Sequence, residues 1–285
     1  MSSAPSAQEI ARDARWLAQA LDPDTGVARL VDMTPEAYRA ASFLDDRMLQ
    51  GPVTACTKPF AEVAAAMPVE TRSDARWIFH IGHVGSTLVA RLLGELSGVL
   101  SIREPRILRD IANMRGEQRA AVLPAIQTLF SRTFAAEEMA LVKATSFVSE
   151  IAAELVPPGE AALFVTVDAR TYIATILAGP NSLKELAALA EIRSARMAER
   201  LRGVLPASSP AQLAAAAWAC EMTSLESAAE AMADRRIMWS NFDKLLEDMA
   251  GGLSAIATFF GMDAPPERVG EIAGGPLMAR YSKAL

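Results

Sequence analysis

Apolar and polar positions fall into two regimes along the chain. Up to about residue 70 the apolar residues are scattered among turn formers: Asp22-Pro23-Asp24-Thr25-Gly26 reads as a turn and Thr34-Pro35-Glu36 as a helix start, since proline suits the first helical turn, where no amide hydrogen is missed. This stretch reads as a mostly helical N-terminal arm with loops, spanning residues 1–72. The polar run Glu70-Thr71-Arg72-Ser73-Asp74-Ala75-Arg76 then gives way to Trp77-Ile78-Phe79-His80-Ile81, a short apolar run of the kind that forms a buried strand. From residue 73 to residue 285 short apolar runs alternate with longer helical patterns, a rhythm that predicts an α/β domain built on a parallel sheet with helices on both faces.

Candidate strands are 77–81, 99–102, 140–143, 162–167 and 236–240, about five in all; candidate helices are 86–97, 105–113, 117–134, 182–201, 209–232 and the segment from Gly252 to Phe260. Leu183, Leu186, Leu189 and Ile192 form a stripe at helical spacing, which reads first as core and second as the face of a lid or partner-binding helix. Trp218 reads first as core and second as a substrate wall. Gly274-Gly275-Pro276 breaks the chain before a short basic tail, Arg280-Tyr281-Ser282-Lys283.

Composition narrows the function classes. A hydrophobic share of 51% over 285 residues suffices for a sizeable core, and a net charge of −6 supplies no general field to attract a polyanion, which favours a small-molecule partner over nucleic acid. The first residues lack the charged and apolar regions of a signal peptide, Leu213–Cys220 is too short and too soon followed by Glu221 to span a membrane, and the two cysteines, Cys56 and Cys220, read as reduced thiols; a cytoplasmic address is expected. His80 and His83 are the only histidines and lie far in sequence from both cysteines, so no zinc-ligand spacing exists and no metal is expected.

The segment richest in chemistry is Phe79-His80-Ile81-Gly82-His83-Val84-Gly85-Ser86-Thr87-Leu88-Val89-Ala90-Arg91, a strand, a glycine turn, two hydroxyl residues and a helix start. Glycines let successive amides converge, and the helix N-terminus adds partial positive charge, so the segment can cradle a phosphate or sulfate; its plainer reading is a strand-to-helix turn. A nucleoside triphosphatase loop needs lysine where Ser86 stands, which counts against an ATPase.

His83-Val84-Gly85-Ser86-Thr87 resembles the 5′-phosphosulfate loop of the sulfotransferases, with His83 where the family carries lysine or arginine. Glu104, nineteen residues after Gly85 and closing the strand Val99-Leu100-Ser101-Ile102-Arg103, is similar in place to the general base of the family's carboxylate-using members. An acid before Pro105 also suits a helix start, so base and cap are both open. Lys143, at the end of Ala140-Leu141-Val142-Lys143, resembles the lysine that stabilises the transferring group, its alternative being a strand-end lysine in solvent.

The resemblance further implies a pair of residues for the donor's 3′-phosphate after the fourth strand. Val167 stands where the arginine is expected, Thr175 matches the hydroxyl partner, and Arg170, Arg280 or Lys283 are candidates to replace the missing cation; Arg91 is a further candidate for anion binding. What the resemblance implies as a whole is a P-loop-like fold and metal-independent transfer of a sulfuryl group from 3′-phosphoadenosine 5′-phosphosulfate (PAPS) to a hydroxyl of a small-molecule acceptor. The alternative is a nucleotide-binding or protein-interaction module that keeps the fold without the chemistry, and a phosphoryl-transfer kinase is a third reading, for which no magnesium-binding carboxylate is evident beside Ser86 or Thr87.

Overall fold

The computed structural model describes residues 5–201, 207 and 209–282. The N-terminal arm departs from the expected helix and loop. Short helices are present at Ala7–Arg12, Pro35–Ala40 and Phe60–Ala65, but three strands, β1 (Trp16–Leu21), β2 (Val27–Asp32) and β3 (Ala55–Pro59), form an antiparallel sheet in the order β1-β2-β3. The turn at Asp22 is the one read from sequence: Asp22 Oδ1 accepts from the amides of Asp24 and Thr25, and Gly26 sits at φ +68°. Its flanks escaped notice because Leu, Ala and Gln favour helix by propensity, whereas the sheet and the main domain bury β1 from both sides and override it.

The main sheet contains β4 (Arg76–His80), β5 (Val99–Arg103), β6 (Met139–Lys143), β7 (Ala161–Thr166) and β8 (Arg236–Asn241), all parallel, in the order β5-β6-β4-β7-β8. This is the α/β architecture with a five-stranded parallel sheet that the alternating pattern predicts. Aromatic rings link its centre: Trp77 stacks on Phe79, Phe79 meets Phe164 edge-on, and Phe164 meets Trp239 at 5.0 Å between centroids. Trp77, Phe79 and Phe164 are fully buried, each contributing about 1.5–3 kcal/mol of transfer free energy, whereas Trp239 is partly exposed.

The expected helices appear at Ser86–Leu93, Arg106–Asn113, Gly116–Ser131, Pro180–Leu201, Pro210–Ala231 and Met249–Phe260, and a helix at Ala169–Ala178 joins them. The leucine stripe of helix Pro180–Leu201 is not a core stripe throughout: Leu186 is buried, Leu183 and Leu189 are half-buried, and Ile192 is 45% exposed. The cause is placement, for this helix packs on Pro210–Ala231 and spans a cavity rather than lying flat on the sheet. Trp218 is half-buried against the core, its indole N–H donating to the Val167 carbonyl at 3.0 Å. Among the described residues, no helix is long and apolar enough to cross a membrane.

Strand order decides where a ligand can sit. The chain leaves β4 toward β5 on one side and later returns to build β7 and β8 on the other, so the connections diverge at the carboxyl end of β4, the position at which open parallel sheets form a crevice.

Candidate functional site

The loop after β4 occupies that crevice. Gly82, His83 and Gly85 have positive φ of 86°, 52° and 65°, a run of left-handed residues that curls the chain around the N-terminus of helix Ser86–Leu93. A Cβ at Gly85 would lie 2.0 Å from the buried ring of Phe242, so glycine is required there by space as well as by backbone angle. His80 locks the near side: its Nε2 donates to the Ala144 carbonyl at 2.9 Å, and its Nδ1 accepts from the Gly82 amide at 3.0 Å, a pairing that assigns the Nε2–H tautomer. Burial, reinforced by the charge of Lys143, pushes the His80 pKa well below its ordinary value and keeps the ring neutral.

A cavity of about 550 Å³ opens over this loop, and His83, Val84, Gly85, Ser86 and Thr87 all line it. Glu104 and Lys143 line it too. The parallel register sets Arg103 level with Lys143, so Glu104 emerges one residue beyond and donates its amide to the Lys143 carbonyl at 2.7 Å. Lys143 Nζ pairs with Glu104 Oε1 and lies 3.3 Å from Thr87 Oγ1 in the loop. Burial draws the Lys143 pKa below its ordinary value, against the opposing pull of Glu104.

Glu104 is not a helix cap. The helix Arg106–Asn113 begins from Pro105 with no side-chain cap bond, and the two Glu104 oxygens bond Lys143 and Arg47 instead. Its backbone is left-handed at φ 54°, a conformation that costs a residue other than glycine on the order of 1–3 kcal/mol and persists where the surroundings dictate it. Lys143 is likewise no solvent-reaching lysine, being 1% exposed.

Other expected ligands lie elsewhere. Arg91 is in the last turn of its helix, outside the cavity, with Nη1 on Ser42 Oγ at 3.2 Å, because the helix carries position 91 away from its N-terminus toward the arm. Arg170 and Thr175 are exposed on helix Ala169–Ala178 and do not line the cavity; Thr175 Oγ1 donates back to the Thr171 carbonyl. Val167 is buried. The Arg280 side chain and Lys283 lie outside the described residues. His83 is half-buried with Nε2 4.0 Å from Glu185 Oε2; burial lowers its pKa despite that carboxylate, so near neutral pH the ring is predominantly uncharged.

The cavity has cations that motif reading missed: Arg47 from the arm, Arg109 from helix Arg106–Asn113, and Arg193 from helix Pro180–Leu201. With Lys143 they face three carboxylates, Asp45, Glu104 and Glu185. Arg193 is buried and held by buried Glu221 at 3.3 Å; burial raises the Glu221 pKa to about 7 even though Arg193 pulls it down. No short-range signal marks Arg47 or Arg193, since each reaches the cavity only through packing of its own element. Among the described residues, no group of three or more His, Cys, Asp or Glu side chains is arranged to hold a metal ion.

Taken together, a glycine turn at a helix N-terminus adjoins a paired acid and amine, and such groups have the chemistry to accept a proton and to stabilise negative charge. The sequence matches no family profile and no curated protein. One solved structure to which the chain is similar is a sulfotransferase domain from the curacin biosynthetic pathway, at 13% identity over 73% of this chain and 80% of that one, with a TM-score of 0.47.

Proposed function

We propose that this protein transfers a sulfuryl group from PAPS to a hydroxyl of a small-molecule acceptor. The observation that carries the reading is the meeting of Glu104, Lys143 and Thr87 at the glycine turn, where three separate segments converge on one anion cradle. The amides and hydroxyls of residues 83–87 hold the 5′-phosphosulfate. Glu104 takes the acceptor's hydroxyl proton as its oxygen bonds to sulfur, while the bond from sulfur to the bridging phosphate oxygen breaks and its electron pair leaves with the nucleotide. Lys143 stabilises that departing charge, an effect enlarged by its burial.

Fit to the donor is uneven. The loop suits its phosphosulfate end, whereas Val167, Arg170 and Thr175 do not bring a cation and hydroxyl to the cavity for the 3′-phosphate. That mismatch favours, as a second reading, a module that binds a nucleotide or a partner without transfer. Titration with 3′-phosphoadenosine 5′-phosphate, with ATP and with magnesium-ATP separates the readings. Thermal stabilisation by the first alone, together with label passing from [³⁵S]PAPS to a small-molecule extract, supports the enzyme. Stabilisation without transfer supports the module, and magnesium-dependent stabilisation by ATP supports a kinase. In the enzyme, Glu104→Gln leaves nucleotide affinity nearly intact and slows transfer at least ~100-fold, whereas Lys143→Ala impairs both.

A further inference from the structure

The arm enters the cavity at one point, the segment around Arg47. Its guanidinium is fixed before it reaches anything: Nε and Nη2 bond the Asp45 carboxylate at 2.8 and 2.6 Å, the Arg47 amide bonds the same carboxylate at 3.0 Å, and the guanidinium carbon lies 3.4 Å from the centre of the Phe43 ring. The strand end holds the segment in turn, with the Leu44 amide donating to the Arg103 carbonyl at 2.8 Å. From this mount Arg47 Nη2 reaches Glu104 Oε2 at 3.1 Å. Glu104 is therefore gripped from two sides, one oxygen by Lys143 and the other by the arm.

Stability is a poor explanation for this contact. The Arg47 side chain is 50% exposed although Glu104 is not, so solvent screens the guanidinium's share of the contact and little stability is gained from holding it. Orientation is a better one. Lys143 alone leaves the Glu104 carboxylate free to rotate about its remaining torsion, and a proton acceptor acts only when its lone pair faces the hydroxyl within hydrogen-bond reach. We propose that Arg47 is a positioning residue that fixes the Glu104 carboxylate toward the acceptor, so that the arm completes the active centre. This rests on the sulfuryl-transfer reading above and deepens it. A group that positions the base acts on the rate of transfer; a group that holds the donor acts on nucleotide affinity.

The experiment compares the full-length protein with Arg47→Ala and Arg47→Lys, measuring kcat for transfer from [³⁵S]PAPS to a small-molecule extract and Kd for 3′-phosphoadenosine 5′-phosphate by calorimetry. Arg47→Ala is expected to lower kcat about 10–100-fold, the scale of an Ångström-sized misplacement, with Kd unchanged within about twofold. Arg47→Lys, which keeps the charge and loses the fork, is expected to recover part of that loss. The unchanged Kd doubles as proof that the variant is folded. An Arg47→Ala protein as fast as the parent, or one whose Kd rises while kcat holds, overturns the inference and leaves the functional reading standing. A parent protein that binds the nucleotide but labels nothing overturns the functional reading, and this inference falls with it.

Discussion

Gly85→Ala probes the geometry of the loop most directly. Two costs combine at this position. The backbone sits at φ +65°, where an alanine Cβ meets its own carbonyl, a penalty of about 1–2 kcal/mol. The new methyl would also lie 2.0–2.4 Å from three atoms of the buried Phe242 ring, adding about 1–3 kcal/mol of overpacking. The sum is roughly 2–5 kcal/mol. Gly98 supplies the control, since it has a similar φ of +72° with nothing within 4 Å of its Cβ position, so Gly98→Ala bears the backbone penalty alone, about 1–2 kcal/mol. Urea unfolding of both variants, read from the midpoint at constant slope, gives the difference. Gly85→Ala should be the less stable by about 1–3 kcal/mol, and Gly85→Ala/Phe242→Ala should depart from additivity by at least ~1 kcal/mol in the direction of relief. Equal penalties at the two glycines, within about 0.5 kcal/mol, would refute the claim that Phe242 presses on the loop.

Two further perturbations test the supports of the cavity. Glu221 binds its proton more tightly folded, at about 7, than unfolded, at 4.5, so its contribution to stability is fully present below pH 4.5 and lost as pH rises through 7. Glu221→Gln should therefore gain on the parent by roughly 3 kcal/mol between pH 4.5 and 8 in urea titrations, and a difference that stays flat with pH would contradict it. Arg103 is buried and its guanidinium donates to the carbonyls of Tyr38, Arg39 and Ala41 at the end of helix Pro35–Ala40. Arg103→Met strands these acceptors and should cost about 2–4 kcal/mol while opening residues 41–54 to limited proteolysis; an intact, equally stable variant would show that the arm is anchored elsewhere.

What the chain reveals in advance follows from how local each signal is. The five-stranded sheet and its main helices are readable because apolar runs, helical patterns and glycine breaks repeat over the whole of residues 77–260, and the strands other than the edge strand β8 are buried from both sides. Glu104 and Lys143 are readable because Lys143 ends a strand and Glu104 directly follows one, and the ends of parallel strands share one edge. The arm's sheet is not, since Trp16–Leu21 carries helix formers and becomes a strand only through its partners. Arg91 misleads for a related reason: nearness in sequence to the loop becomes distance once a helix has carried the chain up to 1.5 Å per residue away. Arg47 lies more than thirty residues before the glycine loop and Arg193 sits on a helix read only for its leucine stripe, and only tertiary packing turns them toward Glu104 and the cavity wall.

The three residues Arg103-Glu104-Pro105 join these observations. Arg103 points its charge into the end of the arm helix, and burial among those carbonyls lowers its pKa to about 10, so it retains its proton at neutral pH. Pro105 starts the next helix, and between them Glu104 must turn through the left-handed region to bring its carboxylate over the loop. Glycine would relieve that turn but would remove the carboxylate. The strained angle is held by the hydrogen bond from the Glu104 amide to the Lys143 carbonyl and by two cations, one from the strand beside it and one from the arm. A strained backbone fixed from both sides, with its side chain in the cavity that the glycine turn lines, is costly to stability. Because the arginine that clamps the arm immediately precedes the acid that the arm's own arginine grips, displacement of the arm disturbs Glu104 through both backbone and side chain.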